Sequence, residues 1–184
     1  MIKFLDKFLS LLALMLLFPL ILFGVIISYW DTGSPIFIQK RVGRYKKPFK
    51  LYKLRTMKIG TESVASHLVN PSSISSLGVF LRKTKIDELL QLVNVLKGDM
   101  SLVGPRPNLY SQIELIEIRD LLGCYSYLPG VTGIAQLNNI DMSNPSVLAK
   151  IDIEMMSTLS VGGYVEILMK TALGKGYGDA AKNK

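Results

Sequence analysis

The chain has 184 residues, 49% of them hydrophobic and 20% charged, which suits one core-forming domain with a single membrane segment and excludes a disordered chain or a polytopic membrane protein. One cysteine, Cys124, and one histidine, His67, exclude a disulfide framework and a zinc site built on several thiolates or two histidines, so any metal falls to carboxylates. The net charge of +8 is one-sided, because residues 1–60 hold 11 Lys and Arg against 2 acidic residues while residues 61–184 are almost balanced.

Residues 8–29 contain no charged side chain, and as a helix they would extend roughly 33 Å, enough to cross a bilayer. A cleaved signal peptide is disfavoured by the length of the run, by Asp6 ahead of it and by the lack of small residues at its exit. Pro19 near its middle removes one backbone hydrogen bond and favours a bend. Lys3 and Lys7 precede the run and nine basic residues between Lys40 and Lys58 follow it, so both ends are drawn to the cytoplasmic side. On this segment alone, a spanning helix and a re-entrant one both remain open. The expected organisation is a membrane helix over residues 1–30 and a cytosolic domain at the membrane interface over residues 31–184.

Residues 31–35 read as a turn, residues 36–39 as a strand and residues 49–57 as a second extended run, which together predict a basic, aromatic β-hairpin on the membrane surface. Beside a lipid segment, its cations suit anionic lipid or a phosphorylated ligand better than nucleic acid. Residues 60–76 read as a polar surface loop with a turn at Asn70-Pro71.

Ile86, Leu89, Leu90, Val93 and Leu96 fall at helical spacing, with Thr84 as the expected cap and Gly98 as the stop, which places Asp87 and Glu88 in the first turn. Acids there ordinarily serve the helix dipole. Their company argues for more: Arg82, Lys83 and Lys85 lie just upstream and Arg106 just downstream. A carboxylate pair among cations suits Mg²⁺ and phosphate, and one carboxylate can act as a nucleophile at phosphorus. Pro105 and Pro107 stiffen the chain on either side of Arg106 and present its guanidinium to a phosphate or a carboxylate. Residues 129–133 read as a rigid turn, and residues 151–159 and 164–173 as short amphipathic helices whose Met155, Met156 and Met169 suit a core or a membrane surface.

The run from Leu81 to Pro107, with Asp87-Glu88-Leu89 and Gly104-Pro105-Arg106-Pro107 inside it, closely resembles the signature of the bacterial sugar transferases, the monotopic phosphoglycosyl transferases. Lys53-Leu54-Arg55-Thr56-Met57 and residues 129–136 resemble two further motifs of that family, and the Pro19-interrupted run resembles its re-entrant helix. The resemblance implies a membrane-associated α+β fold: a Pro-kinked re-entrant helix, then a small, mostly helical domain with a short β-hairpin and amphipathic surface helices. It implies an enzyme on the cytoplasmic face of the bacterial inner membrane. That enzyme moves a sugar 1-phosphate, here expected to be an N-acetylated amino sugar, from a UDP-sugar to undecaprenyl phosphate and releases UMP, as the first membrane step of glycan assembly.

By the same resemblance Asp87 would form a phosphosugar-aspartyl intermediate and Glu88 would hold Mg²⁺. Arg106 with Pro105 and Pro107, together with Lys53, Arg55 and Arg82, would bind phosphate or nucleotide, and Asp152 would play a supporting part. A homodimer is left open. The chain departs from the family pattern at Leu90, where proline is common and where the change should smooth the helix. It departs also at Phe18, at Leu128, and at residues 138–141, where an expected arginine is replaced. A non-catalytic membrane adaptor would leave the Asp87-Glu88 and Arg106 motifs without a purpose.

Overall fold

The computed structural model describes residues 1–62 and 69–176, so His67 and part of the expected surface loop lie outside the described residues. Helix α1 runs from Ile2 to Thr32, longer than the hydrophobic run alone predicted, and ends on Gly33 at φ 71°, whose N–H donates to the Tyr29 carbonyl. A left-handed residue at this position is cheapest as glycine. Pro19 lies inside α1 and the helix continues beyond it.

The predicted hairpin is present, its first strand longer than expected and its second ending at Leu54, three residues short of the expected Met57. β1 (Ile36–Val42) pairs antiparallel with β2 (Pro48–Leu54), Ile38 opposite Tyr52 and Arg41 opposite Phe49. A single 3-10 turn, Arg44–Lys46, joins them. α2 (Ser76–Thr84) opens on Ser75, whose hydroxyl accepts the Gly78 N–H. Here one expectation is corrected: Thr84 does not cap the next helix but closes α2, its hydroxyl donating to the Phe80 carbonyl at 2.9 Å. Lys85 then turns left-handed at φ 59°, Ile86–Glu88 form a 3-10 turn, and α3 covers only Gln91–Lys97, ending at Gly98. Leu90 therefore sits at a junction between two helical segments instead of smoothing one helix.

Residues 129–133 are also not a free turn. β4 (Gly130–Thr132) lies parallel to β3 (Ser101–Val103), with Ser101 opposite Gly130 and Val103 opposite Thr132. Just past this pairing the two chains cross: a Cβ added to Gly130 would fall 2.1 Å from the Gly104 backbone nitrogen. The glycines of the two separate motifs are thus halves of one backbone crossing. The remaining helices are α4 (Ile113–Leu121), which the apolar pattern did not reveal, α5 (Ile134–Leu137), α6 (Pro145–Thr158) and α7 (Val161–Ala172). Met155 is buried in the core, whereas Met169 is exposed.

α1 lies along the domain. Near its start Ile2, Leu5, Leu9, Ala13 and Leu14 pack on the core formed by Leu51, Val95, Met100, Val103 and Tyr164. Near its end Val25 and Ile27 pack on Leu54, Leu81 and Ile86. Gly24 lets the Leu54 side chain lie directly on the helix backbone, since a Cβ there would fall 2.7 Å from Leu54 Cδ1. The opposite face is apolar and exposed, with Phe4, Phe8, Met15, Leu16, Phe18 and Phe23 outward.

The early part of α1 is held by a charge. Asp6 is 4% exposed; its carboxylate accepts the Leu102 N–H at 2.8 Å, the Tyr164 hydroxyl at 2.7 Å and the Ser101 hydroxyl at 2.9 Å. Burial, and then the bond to Asp6, push the Tyr164 phenol well above the usual tyrosine range.

Asp6→Ala leaves three buried donors without their acceptor, so stability should fall by about 3 kcal/mol or more, and Tyr164→Phe should cost about 1–2 kcal/mol. The folded state keeps the phenol protonated where the unfolded chain would release it. Stability should therefore decline as pH rises above the ordinary tyrosine value of 10.0, and Tyr164→Phe should flatten that decline. Denaturant titration across pH in detergent checks both.

Candidate active site

The Lys53 to Met57 motif is where the second hairpin strand leaves its sheet. Along β2 alternate side chains face opposite sides. Leu54 packs against α1 at Gly24, while Lys53 turns to the 3-10 turn and its Nζ donates to Glu88 Oε1 at 3.1 Å. Asn94 on α3 fixes the strand from behind by accepting the Tyr52 N–H and donating to the Lys50 carbonyl. Thr56, two residues past the strand, accepts from Arg82 Nε at 2.9 Å.

Asp87 and Glu88 are 2% and 7% exposed, far below what a carboxylate serving only a helix dipole requires. Glu88 Oε1 accepts a second charge-assisted bond from Arg106 Nη2 at 3.0 Å. Lys53 and Arg106 thus meet on one oxygen. Asp87 lines a narrow cleft with Arg41, Lys53, Arg55 and Arg82. That is a cation-rich recess with a carboxylate in its wall, the electrostatics of a site for a polyanion. The chain on either side of residues 63–68 borders the same cleft at Glu62 and Val69.

The structure gathers Asp87, Glu88, Lys53, Arg82 and Arg106 into one place and distributes the other expected residues around it. Arg55 reaches the cleft, but its guanidinium also donates to the Ser34 carbonyl and lies over Phe37, which ties it to the start of the hairpin. Lys83 is exposed. Lys85 sends its Nζ to the Lys175 carbonyl; burial lowers its ammonium pKa, with Glu88 opposing and Arg106 assisting.

Arg106 is held through its backbone. Four successive carbonyls, from Pro105 to Asn108, each accept a hydrogen bond: from the Gly130 N–H at 2.8 Å, Arg119 Nη1 at 2.8 Å, Arg41 Nη1 at 3.0 Å and the Val42 N–H at 3.0 Å. The two prolines remove N–H groups that would otherwise need partners, and the clamp uses the carbonyls that remain. Asp152 does not reach the dyad. It pairs with Arg119 Nη2 at 2.5 Å, both side chains almost wholly buried, and burial pushes its carboxyl upward against the pull of Arg119. Arg41 and Arg119 were missed as site residues. Arg41 was hidden in the basic cluster, and Arg119 carried no local signal at all, because an arginine on a helix ordinarily reads as solvated.

Among the described residues no group of three or more Asp, Glu, His or Cys side chains is placed to hold a metal ion. A hard cation held by one or two carboxylates and completed by phosphate oxygens needs no such group, and the Asp87-Glu88 donor set fits Mg²⁺ on those terms.

Arg119→Met would strand the buried Asp152 carboxylate and should cost about 3–5 kcal/mol. The double variant Arg119→Met/Asp152→Leu should recover most of that loss while leaving the Arg106 carbonyl without its side-chain donor. Thermal denaturation of the two variants beside the parent chain measures the difference.

Residues 1–175 match the family model described as bacterial sugar transferase. The chain is 46% identical over 109 residues to a Bacillus subtilis protein named as an undecaprenyl-phosphate N-acetylgalactosaminyl 1-phosphate transferase, covering 57% of this chain and 60% of that one. It is 32% identical over 185 residues to the undecaprenyl-phosphate galactose phosphotransferase of Salmonella typhimurium, covering 91% of this chain and 38% of the relative. It is 37% identical over 140 residues to the UDP-glucose:undecaprenyl-phosphate glucose-1-phosphate transferase of Escherichia coli, covering 72% and 30%. The chain therefore spans less than two thirds of the length of each of these relatives. With the match running from the first residue through α7, the chain belongs to the bacterial sugar transferase family.

Proposed function

We propose that this chain is a phosphoglycosyl transferase that moves a sugar 1-phosphate from a UDP-sugar to undecaprenyl phosphate, with Asp87 as the nucleophile. The observation that carries the reading is the buried Asp87-Glu88 pair set among Lys53, Arg82, Arg106 and Arg41. In the first step an Asp87 carboxylate oxygen forms a bond to the phosphorus that carries the sugar. The bond from that phosphorus to the bridging oxygen breaks, and UMP leaves with the electron pair. In the second step an oxygen of undecaprenyl phosphate attacks the same phosphorus, a diphosphate bond forms, and the Asp87 carboxylate is released. Lys53 and Arg106 hold Glu88 in place, and the cations of the cleft meet the negative charge that gathers on the phosphoryl oxygens. Mg²⁺, when bound at Glu88, supplies further charge neutralisation on the diphosphate. An N-acetylated amino sugar is the first substrate to try, because the Bacillus subtilis relative's name carries that sugar.

We place the enzyme at the cytoplasmic face of the bacterial inner membrane, with α1 entering and leaving the bilayer from one side. Both ends of α1 pack on the same domain, Asp6 at one and Gly24 at the other, which supports a helix that does not carry Met1 to the far side. Pro19, between these two points on the exposed apolar face, is the position at which such a helix would bend in lipid.

Purified chain given undecaprenyl phosphate and a panel of UDP-sugars should release UMP with one sugar above the rest. Release should stop in EDTA and return with Mg²⁺, and Asp87→Asn should lower it roughly 10⁴-fold or more. Undiminished turnover by Asp87→Asn would place the nucleophile elsewhere, and full activity in chelator would remove Glu88 from metal binding. A cysteine at position 2 in a Cys124→Ser background should resist a membrane-impermeant thiol reagent until the inner membrane is opened. Labelling in intact cells would mean that α1 spans.

A further inference from the structure

A larger cavity, about 510 Å³, lies away from the Asp87 cleft and shares none of its lining residues. It is formed where the first turns of α1 meet the hairpin turn and the loop between α3 and β3. Its charge is mainly positive, from Lys3 and Lys7 on α1 and Arg44 and Lys47 in the hairpin turn. Two carboxylates border it, and both are engaged: Asp6 by Ser101, Leu102 and Tyr164, and Asp99 by Asn94. Arg44 is fixed as well, donating to the Ser126 carbonyl and the Tyr45 hydroxyl. The side chains of Lys3, Lys7 and Lys47 are exposed and make no hydrogen bond or ion pair among the described residues, so three lysines from two elements line one recess.

What stands beside those ammonium groups narrows the ligand. Lys3 and Lys7 are one helical turn apart, and so are Phe4 and Phe8 on the adjoining stripe. The two rings stack at 6.3 Å and are 72% and 54% exposed. A recess of cations edged by an outward aromatic pair matches an amphiphile that carries phosphate at the root of a hydrocarbon chain. A free anion would use the cations and leave the rings in water.

We propose that this recess is a second site, distinct from the catalytic cleft, that binds the phosphate of a membrane lipid through Lys3, Lys7 and Lys47 while the lipid chain lies against Phe4 and Phe8. Two sources share that chemistry, an anionic phospholipid headgroup and a polyprenyl phosphate held apart from the reaction. Either would pin the start of α1 at the headgroup level. The inference stands independently of the transferase reading, since none of these residues takes part in the proposed reaction.

Native mass spectrometry of the full chain in detergent, titrated separately with phosphatidylglycerol, undecaprenyl phosphate and phosphatidylcholine, tests it. The parent chain should retain phosphatidylglycerol, or a second equivalent of undecaprenyl phosphate, in preference to phosphatidylcholine. Lys3→Gln/Lys7→Gln/Lys47→Gln should weaken that retention about a hundredfold, since each basic residue contributes about a factor of five to attraction of an anionic lipid. Lys83→Gln/Lys150→Gln/Lys175→Gln, with the same loss of charge at exposed positions outside the recess and the hairpin, should retain the lipid as the parent does. Loss confined to phosphatidylglycerol identifies bulk phospholipid as the source, and loss confined to the second undecaprenyl phosphate identifies the polyprenyl lipid. Equal retention by both triple variants, or equal loss from both, would overturn the site. Circular dichroism and UMP release by the first triple variant separate lipid loss from misfolding and from failure of the catalytic reading.

Discussion

Glu88 Oε1 is where the architecture of this protein converges. One oxygen, nearly excluded from water, accepts from Lys53 at the end of the hairpin and from Arg106 in the loop after β3. Three segments distant in sequence meet there, and each must be positioned before the contact can form. An ion cluster of this kind is expensive to bury and is weak evidence for stability. Its value lies in what it leaves behind, a recess in which the cations outnumber the carboxylates. The fold is arranged to hold this cluster against its own desolvation cost. Asn94 locks β2, the Gly104–Gly130 crossing fixes the turn into Pro105, and four carbonyls in a row are clamped so that Arg106 has little freedom left.

The relation between α1 and the domain follows the same logic on a larger scale. A helix used only as an anchor needs no specific contact with what it anchors. α1 instead buries a stripe along its length, places a carboxylate where it satisfies a backbone N–H and two hydroxyls, and sets Gly24 against Leu54, the residue next to Lys53. The apolar helix and the Glu88 ion cluster are therefore neighbours through β2. The proposed reaction, between a soluble nucleotide sugar and a lipid phosphate, would gain from such coupling, because the exposed apolar face of α1 and the Asp87-Glu88 pair are held in a fixed relation.

Much of this was legible before any coordinates. The apolar run, the basic hairpin, the acid pair and the proline-flanked arginine all announce themselves by residue type and spacing, and the structure brings Lys53, Glu88 and Arg106 into contact. What was not legible depended on contacts between distant segments. The strands β3 and β4 are three residues each, too short for a local pattern, and the proline and glycine at 129–130 read as a turn although the glycine serves a backbone crossing. Thr84 was misread as a cap because the left-handed Lys85 that actually parts the helices carries no glycine or asparagine to mark it. Arg119 and Asp152 lie on different helices, 33 residues apart, and neither suggests the other until α4 and α6 pack together.

The central claim is that Asp87, not a water or another side chain, takes the phosphoryl group. Intact-protein mass spectrometry of the chain after rapid mixing with its UDP-sugar, with undecaprenyl phosphate withheld, tests it most directly. A mass increase of one sugar phosphate is expected, mapped by peptide fragmentation to Asp87, that disappears when undecaprenyl phosphate is added. An adduct on any other residue, or no adduct on Asp87 with the acceptor withheld in a chain that turns over rapidly once the acceptor is added, would contradict it.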